Sequence, residues 1–580
     1  MPEKRGVPVS FDTLMMMAVT EELKQELIGA VVQRVYEPER GEVVIHFYAE
    51  GKQPGLLFSY DSRYARVHKV DQKYRSLDQP SPFCMLLRKY LVGGRSVNFD
   101  NPPLERILEI DFDPPEGMKP VKLFAEIMAR RSNLILVDED GIILGAAKTA
   151  SLDKNPARAI LPGEKYLLPP KQEKLNPGSL NPEELASALS RLIDNGKRAD
   201  KALVEAVGGI SPLAAREILH RCGWDTSNPE VSAKKLQQEL YNIFCEKVFQ
   251  NKAVLVPGKK LYAAIDLTCL PEDEKVYYSS PGKMLEKYYN ELKNETRELA
   301  LRESLQNTVE KRLGQLINKK KEQQKELDAS ARAPQHRLYG EILLAYGNQV
   351  PKGAESAMLP DIYNPDQEIS VPLDPSKSAS FNAQLHFKKY RKAKQGRDKI
   401  RRQLGRTKAE IDYCNELLYT IEKGSIELLE EIRSEMIQAG YLREKKKGKK
   451  GKEALPQPLS LKTSSGHTVL VGRNNRQNDY ITFKAAVRRD TWFHVKDLPG
   501  SHVVLKEAPF PPPESDLEEA AFLAAYFSKG SKSSAVAVDY TEVRHVRRRP
   551  GGKPGAVLYE NYETITVNPQ NEDLTKQFQL

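Results

Sequence analysis

Between residues 28 and 147, apolar side chains recur at every second position in short runs punctuated by Gly, Asp and Pro. Alternation of that period marks half-buried strands, predicted at 31–36, 43–48, 56–59, 66–68, 107–112, 122–127, 133–138 and 142–146. Ahead of them Leu14, Met17, Ala18, Leu23 and Leu27 fall at helical spacing, and Ser10-Phe11-Asp12 supplies a helix start. A shorter helix at 83–90 stops at Gly93-Gly94. This region reads as one α+β domain.

The pattern then changes. Residues 180–245 are helical, and within them the turn Gly208-Gly209-Ile210-Ser211 joins two helical stretches as in a helix-hairpin-helix. Backbone N–H groups at such a turn suit a phosphate. Ser211 stands where a third glycine is usual, so the reading competes with a plain helical hairpin. Residues 253–272 return to strand-like sequence and are expected to rejoin the first domain. From Met284, Leu285, Leu292, Leu299 and Leu313 share one seven-residue register, with Tyr288, Val309 and Leu316 on the companion positions. From about Ser376 to Leu442, Leu404, Ile411 and Leu418 repeat likewise, with Cys414, Ile421 and Leu428 three residues on. Two heptad stretches around a polar, Pro-containing segment predict an antiparallel coiled-coil arm, 330–375 being its distal end. Gln306, Ser425 and Glu435 interrupt the seam.

The last region returns to strands, at 469–471 and 503–505. They flank a hairpin-like block, Gly472-Arg473-Asn474-Asn475-Arg476-Gln477-Asn478, too polar for a core. Its amides and guanidiniums can donate to phosphates or base edges. Trp492, His494, Lys496 and His502 follow closely, and aromatics with cations suit RNA bases. Trp492 is expected beneath that surface rather than stacked on a base.

Composition narrows the class. Apolar residues make up 40% and charged residues 29%, with net charge +10 and pI about 9.0, which favours polyanionic partners. No apolar run approaches the roughly 20 residues of a membrane span, and the start lacks a signal-peptide core. The five cysteines are scattered without a Cys-x-x-Cys pair, which argues against a zinc ribbon or disulfide framework and for a reducing cytoplasm. There is no P-loop and no Gly-x-Ser-x-Gly elbow. His494, Asp497, Ser501 and His502 could serve acid–base chemistry, but no triad or metal-ligand spacing accompanies them. No catalytic residue, metal or cofactor is predicted.

Residues 471–482 and 490–503 closely resemble the RNA-binding domain of the NFACT family of ribosome quality-control factors, as do the segments at 524–529, 538–541 and 553–555. Ser10-Phe11-Asp12, residues 83–89, Glu126-Ile127-Met128, Ser132-Asn133 and residues 161–163, 373–375 and 382–384 fit the rest of that family. The resemblance implies a multidomain α+β chain. Its parts would be a glycosylase-like N-terminal domain at 1–175, a helical domain with the hairpin at 176–252, the coiled-coil arm at 273–442, a basic linker at 443–455 and an α+β RNA-binding domain at 456–580. It further implies a cytoplasmic scaffold without a membrane. That scaffold would bind rRNA and ribosomal proteins of large subunits obstructed by peptidyl-tRNA, bring alanyl-tRNA, and support alanine tailing of the stalled chain for degradation.

The family's Asp-Arg tRNA contact falls on Glu105-Arg106, with glutamate one methylene longer. Its Gly-[Arg/Lys]-His-Ser-Asn falls on Ala129-Arg130-Arg131-Ser132-Asn133, where Arg131 keeps phosphate binding and loses any proton-transfer role. Two alternatives stand beside this reading. One is a fibronectin-binding adhesin, the other role attached to this family. The other is a DNA glycosylase, suggested by the opening Met1-Pro2-Glu3. The family's start aligns with residues 9–12, which makes residues 1–8 an extension and displaces Pro2 from the glycosylase position.

Overall fold

The computed structural model describes residues 11–153, 157–170, 172–225, 229–246, 253–331, 333–443 and 456–580. The expected N-terminal extension, and all but Arg443 of the basic linker at 443–455, lie outside the described residues. The chain divides into two compact units, Met1–Asn294 and Glu295–Leu580.

The first unit is built on a nine-stranded antiparallel sheet. Its strands are β1 (Val31–Tyr36), β2 (Glu42–Tyr48), β3 (Gly55–Ser59), β4 (Arg66–Val70), β5 (Arg95–Asp100), β6 (Ile107–Asp113), β7 (Val121–Glu126), β8 (Asn133–Asp138) and β9 (Ile143–Ala146). The spatial order β4-β3-β2-β1-β5-β6-β7-β8-β9 is two meanders joined at β1 and β5. The helices α1 (Thr13–Leu27) and α2 (Pro82–Leu91) pack on it. Leu14, Met15, Val19, Leu23 and Leu27 of α1 and Leu87 and Leu91 of α2 enter one core with Val32, Phe47, Phe58 and Leu123. Strand β5 was not expected: it buries only Ser96 and Phe99, too little apolar signal for a strand, yet it joins the meanders.

Four helices follow: α3 (Pro182–Asp194), α4 (Ala199–Ala206), α5 (Pro212–Cys222) and α6 (Pro229–Phe244). The segment expected to rejoin the first domain makes its own sheet, β11-β10-β12, from β10 (Ala253–Val256), β11 (Leu261–Ala263) and β12 (Val276–Tyr278). Its Leu255 and Tyr262 nevertheless share the first core. The long helix α7 (Pro281–Ser330) starts there, with Met284, Leu285 and Tyr289 buried.

In the second unit α7 runs antiparallel to α9 (Ala379–Lys423). Arg312 pairs with Glu410 at 3.3 Å, and Thr407 Oγ1 donates to Gln323 at 2.9 Å. Leu305, Val309 and Leu316 meet Tyr413, Cys414, Leu417 and Ile421, but Leu299, placed on the heptad seam, is 54% exposed. The second heptad stretch is not one helix. Gly424 and Ser425 are extended, and a separate α10 (Ile426–Gln438) follows, with Leu428, Leu429, Ile432 and Met436 in the same core. Between α7 and α9, α8 (Ala333–Tyr346) and the hairpin β13 (Ser356–Pro360)–β14 (Glu368–Pro372) form a small core around Ile342, Leu359 and Val371.

The C-terminal domain has a six-stranded sheet, order β15-β16-β18-β17-β19-β22, from β15 (Leu459–Lys462), β16 (Thr468–Val471), β17 (Thr491–Val495), β18 (Val503–Lys506), β19 (Val536–Glu542) and β22 (Glu563–Val567). Alternation divides its residues between two faces. Val469, Val471, Phe493, Val495, Val503 and Leu505 pack on α12 (Glu514–Tyr526). Trp492 and Val504 face the other way, toward α11 (Asn475–Tyr480) and the ribbon β20 (Val546–Arg548)–β21 (Val557–Tyr559).

Candidate nucleic-acid interface

In the first unit three separated motifs meet at one corner of the large sheet. Asp12 caps α1 by accepting from Met15 N at 2.9 Å. Burial pushes its carboxyl up, opposed by a hydrogen bond to Ser211, the Met15 amide and the charge of Arg106. Arg106 reaches the Phe11 carbonyl at 3.5 Å. Ahead of it Leu104 has φ 65°, and Asn101 Nδ2 donates to the Glu105 and Ile107 carbonyls at 2.8 and 2.7 Å, which fixes the turn that presents Glu105 and Arg106. The Leu104 side chain lies against Gly209 (φ 77°), where a Cβ would sit 3.2 Å from it. The Arg106 carbonyl accepts from Ile127 N at 2.8 Å, so the start of β6 adjoins the end of β7. There Ala129, with φ 49°, opens the turn that carries Arg130 and Arg131 into solvent.

This corner brings together Glu105, Arg106, Arg130 and Arg131, and revises the roles expected of their neighbours. Ser132 is buried and accepts from Met128 N at 2.8 Å. Asn133 is buried too, holding the Lys148 amide and carbonyl at 2.8 and 2.7 Å. Both shape the turn rather than face a tRNA. The hairpin is likewise engaged internally. Gly208 N donates to the Leu175 carbonyl at 3.0 Å, and Ser211 Oγ caps α5 by accepting from Ala214 N at 3.2 Å. Gly208 and Ser211 thus hold the hairpin through internal hydrogen bonds, with Gly209 against Leu104.

In the C-terminal domain the block expected to line an RNA surface folds inward. Asn474, Asn475, Gln477 and Asn478 are all at most 5% exposed. Asn474 caps α11 by accepting from Gln477 N at 2.8 Å, and Gln477 Oε1 takes the Arg473 amide at 3.0 Å. This is close to a capping box, and Asn-x-x-Gln was its sequence signal. The amide donors of Asn474, Asn475 and Gln477 face α10. Asn474 Nδ2 and Gln477 Nε2 reach Glu431 Oε2 at 2.7 and 2.9 Å, and Asn475 Nδ2 reaches Glu435 Oε1 at 3.1 Å, where Tyr413 also donates at 2.8 Å. Asn478 Oδ1 holds the His502 amide at 3.0 Å. Gly472 permits this, since a Cβ there would stand 2.3 Å from that oxygen. Of the block, Arg473 is exposed and Arg476 half-buried.

Trp492 is fully buried, stacked with His494 at 5.8 Å and edge-on to His502 at 5.1 Å. His502 is 2% exposed, with Nδ1 2.9 Å from the Thr482 hydroxyl. Burial pushes His494 down to about 4 and His502 well below its usual value, so both rings are neutral near pH 7. His502 completes the domain's interior while His494 is half-buried, and neither offers a cation to RNA. Lys496 is exposed at 43% of its side chain, over the Tyr562 ring at 5.6 Å.

Beyond Arg473 and Lys496, a cluster of exposed cations that the sequence did not reveal lies elsewhere in the domain. Arg544 N donates to the Arg488 carbonyl at 3.2 Å, which unites Arg488 and Arg489 with Arg544, Arg547, Arg548 and Arg549, all exposed. Arg548 is held bidentate by Asp479 at 2.9 and 2.8 Å, and lies 4.2 Å over Phe483. Among the described residues no carboxylate pairs with Arg488, Arg489 or Arg549 within salt-bridge distance. The run 547–549, closed by Pro550-Gly551-Gly552, was the available signal.

Comparison with known proteins follows this division. Residues 12–454 match the NFACT N-terminal and middle domains, and residues 458–561 match the NFACT protein RNA binding domain. The Rqc2 homolog RqcH of Bacillus subtilis (strain 168) is 36% identical over 575 residues, 98% of this chain and 99% of that protein. The Rqc2 homolog RqcH of Streptococcus suis (strain 05ZYH33) is 31% identical over 99% of this chain and 100% of its own. The solved C-terminal part of the fibronectin/fibrinogen-binding protein from Streptococcus suis is 31% identical, covers 48% of this chain and 98% of that one, and has TM-score 0.39.

Proposed function

The chain belongs to the NFACT family, and from that premise we propose that it acts in ribosome quality control as a scaffold that positions tRNA. In this reading it engages large ribosomal subunits obstructed by peptidyl-tRNA and presents alanyl-tRNA. The ribosome then forms the bonds that lengthen the stalled chain with C-terminal alanines, a tag for degradation. A Rqc2 homolog spans almost the whole chain at 36% identity, and no P-loop or nucleophile elbow occurs in the sequence.

One observation carries the proposal: Arg106, Arg130 and Arg131 share a corner with Glu105, held there by Asp12, Asn101 and the buried Asn133. A guanidinium forks onto phosphates and base edges, and a neighbouring carboxylate accepts from a base amino group. Cations supported by hydrogen-bonded turns meet a tRNA with little ordering cost. We read α7, of 50 residues, and α9, of 45, as the family's coiled-coil arm. At about 1.5 Å per residue they measure roughly 75 and 68 Å. That length lets the arm contact the subunit far from the tRNA. No helix among the described residues is long and apolar enough to cross a membrane.

C-terminal mass spectrometry of a non-stop reporter, made in cells with and without the protein, tests this. Alanine extensions that depend on the protein are expected. Reporters with identical ends in both strains would overturn the reading.

A further inference from the structure

A cleft of about 1490 Å³ lies within the second unit, between α9 and the C-terminal domain. Small-molecule pockets are typically about 300–1,000 Å³, so this one has room for a short polymer. One wall is α9, presenting Arg402, Gly405, Arg406 and Glu416; the other is the loop from Arg549 to Ala556. His494, Gly500, His502 and Tyr559 line its inner side.

Resting on the reading of this domain as RNA-binding, we propose that the cleft holds a single-stranded RNA segment, with phosphates on Arg406 and Arg549 and unstacked bases against the His494–Tyr559 side. Arg549 continues the exposed run Arg547-Arg548, so the arginine patch on the domain's outer surface leads into the cleft. Arg406 is exposed on the opposite wall, and among the described residues neither Arg402 nor Arg406 pairs with a carboxylate. Guanidiniums on facing walls suit a strand with repeated phosphates.

The wall is not uniformly basic. Asp412 and Glu416 stand on the same helix as the arginines, and carboxylates accept from base amino groups. A duplex tracked only by its backbone would find them repulsive. The inner rings are neutral imidazoles that bring no charge to the cleft. Gly405 leaves this wall open, since a Cβ there would meet nothing within 4 Å. Lys553 closes one side: it lies 5.9 and 5.8 Å over Tyr413 and Tyr441 and donates to the Ala439 carbonyl at 3.4 Å. An extended peptide is the poorer occupant, because peptides in such clefts add to a free sheet edge, and these walls are a helix and a glycine-rich turn.

The test uses the full chain with fluorescein-labelled hexauridylate and a blunt RNA duplex as separate probes. Gly405→Trp fills the cleft and Arg406→Glu reverses one phosphate contact. Each is expected to weaken hexauridylate binding roughly tenfold or more, with the salt slope of Arg406→Glu lowered by at least about 0.7, while duplex binding is unchanged. Both substitutions point into open space, and far-UV circular dichroism with urea unfolding verifies folding. Arg402→Glu serves in place of Gly405→Trp should that variant misfold. Wild-type hexauridylate affinity in these folded variants overturns the cleft assignment and leaves the RNA-binding reading standing. Failure of the wild-type protein to bind either probe overturns both. If the variants instead lose an unstructured Gly/Ser peptide and keep hexauridylate, the cleft is a peptide site and the proposal is wrong.

Discussion

Asn475 donates through Nδ2 to Glu435 Oε1 at 3.1 Å, where both residues are buried. The contact joins the polar block of the C-terminal domain to α10. Together with Asn474 and Gln477 on Glu431, it makes that block a docking element. Glu431 and Glu435 are four residues apart on one helix face, matching the first turn of α11.

That relationship makes docking sensitive to pH. Burial pushes the Glu435 carboxyl up to about 7, opposed by the Tyr413 and Asn475 hydrogen bonds. Burial and the charge of Glu435 also raise Glu416 to about 7. An unfolded glutamate titrates near about 4.3. Between these values the folded domain retains protons that the unfolded chain has released, so stability falls as pH rises toward about 7 and is least above it. Glu435→Gln keeps the acceptor and removes the ionisation. The variant is expected to lose part of this pH dependence and to be more stable by on the order of 1–3 kcal/mol at about pH 8. Urea unfolding followed by Trp492 emission in a Trp224→Phe background measures it; an unchanged pH profile would contradict the assignment.

Removing the amides should damage folding rather than RNA binding. Asn474→Ala or Gln477→Ala strips a donor from Glu431 and loosens the α11 cap, at a cost of about 1–3 kcal/mol each. The same unfolding assay reads the loss. RNA affinity of the folded fraction should match wild type, and a selective affinity loss without destabilisation would return these residues to an RNA surface.

The arginine patch should behave in the opposite way. Arg488→Ala with Arg489→Ala removes exposed side chains, so stability should change by less than about 0.5 kcal/mol. Affinity for an RNA duplex should fall, and the slope of log K against log salt should become shallower by about 0.9 per lost contact. Fluorescence anisotropy across a salt series checks this, and parallel slopes would remove the patch from the interface.

These contrasts mark what was legible in the sequence. The strands of the large sheet were readable because Val31–Tyr36 and Asn133–Asp138 carry dense apolar residues against a core. Strand β5 was not, since only Val97 and Phe99 of its six residues are apolar. The break at Gly424-Ser425 was hidden because apolar residues at 421 and 428 keep heptad spacing across it. The polar block misled because Asn and Gln usually face water. Here each finds a partner on α10, in its own turn or, for Asn478, on the His502 amide, and the remote ones leave no local trace. The arginine patch escaped for a related reason: residues 488–489 and 544–549 become neighbours only when β17 pairs with β19. Residues 105–106 and 130–131 were legible as motifs. That Asp12, Leu104 and Gly209 lock them to one corner was visible only in the fold.

The central claim is that this corner selects tRNA. The most direct measurement is sequencing of the tRNA that co-purifies with the tagged protein, wild type against Glu105→Ala with Arg106→Ala. The wild-type protein is expected to enrich a tRNA that accepts alanine. The double variant should lose that enrichment while still sedimenting with large ribosomal subunits. Glu105→Asp should retain enrichment, and Arg106→Lys should be impaired because it lacks the planar fork. Equal enrichment of the same tRNA by wild type and double variant would contradict the claim.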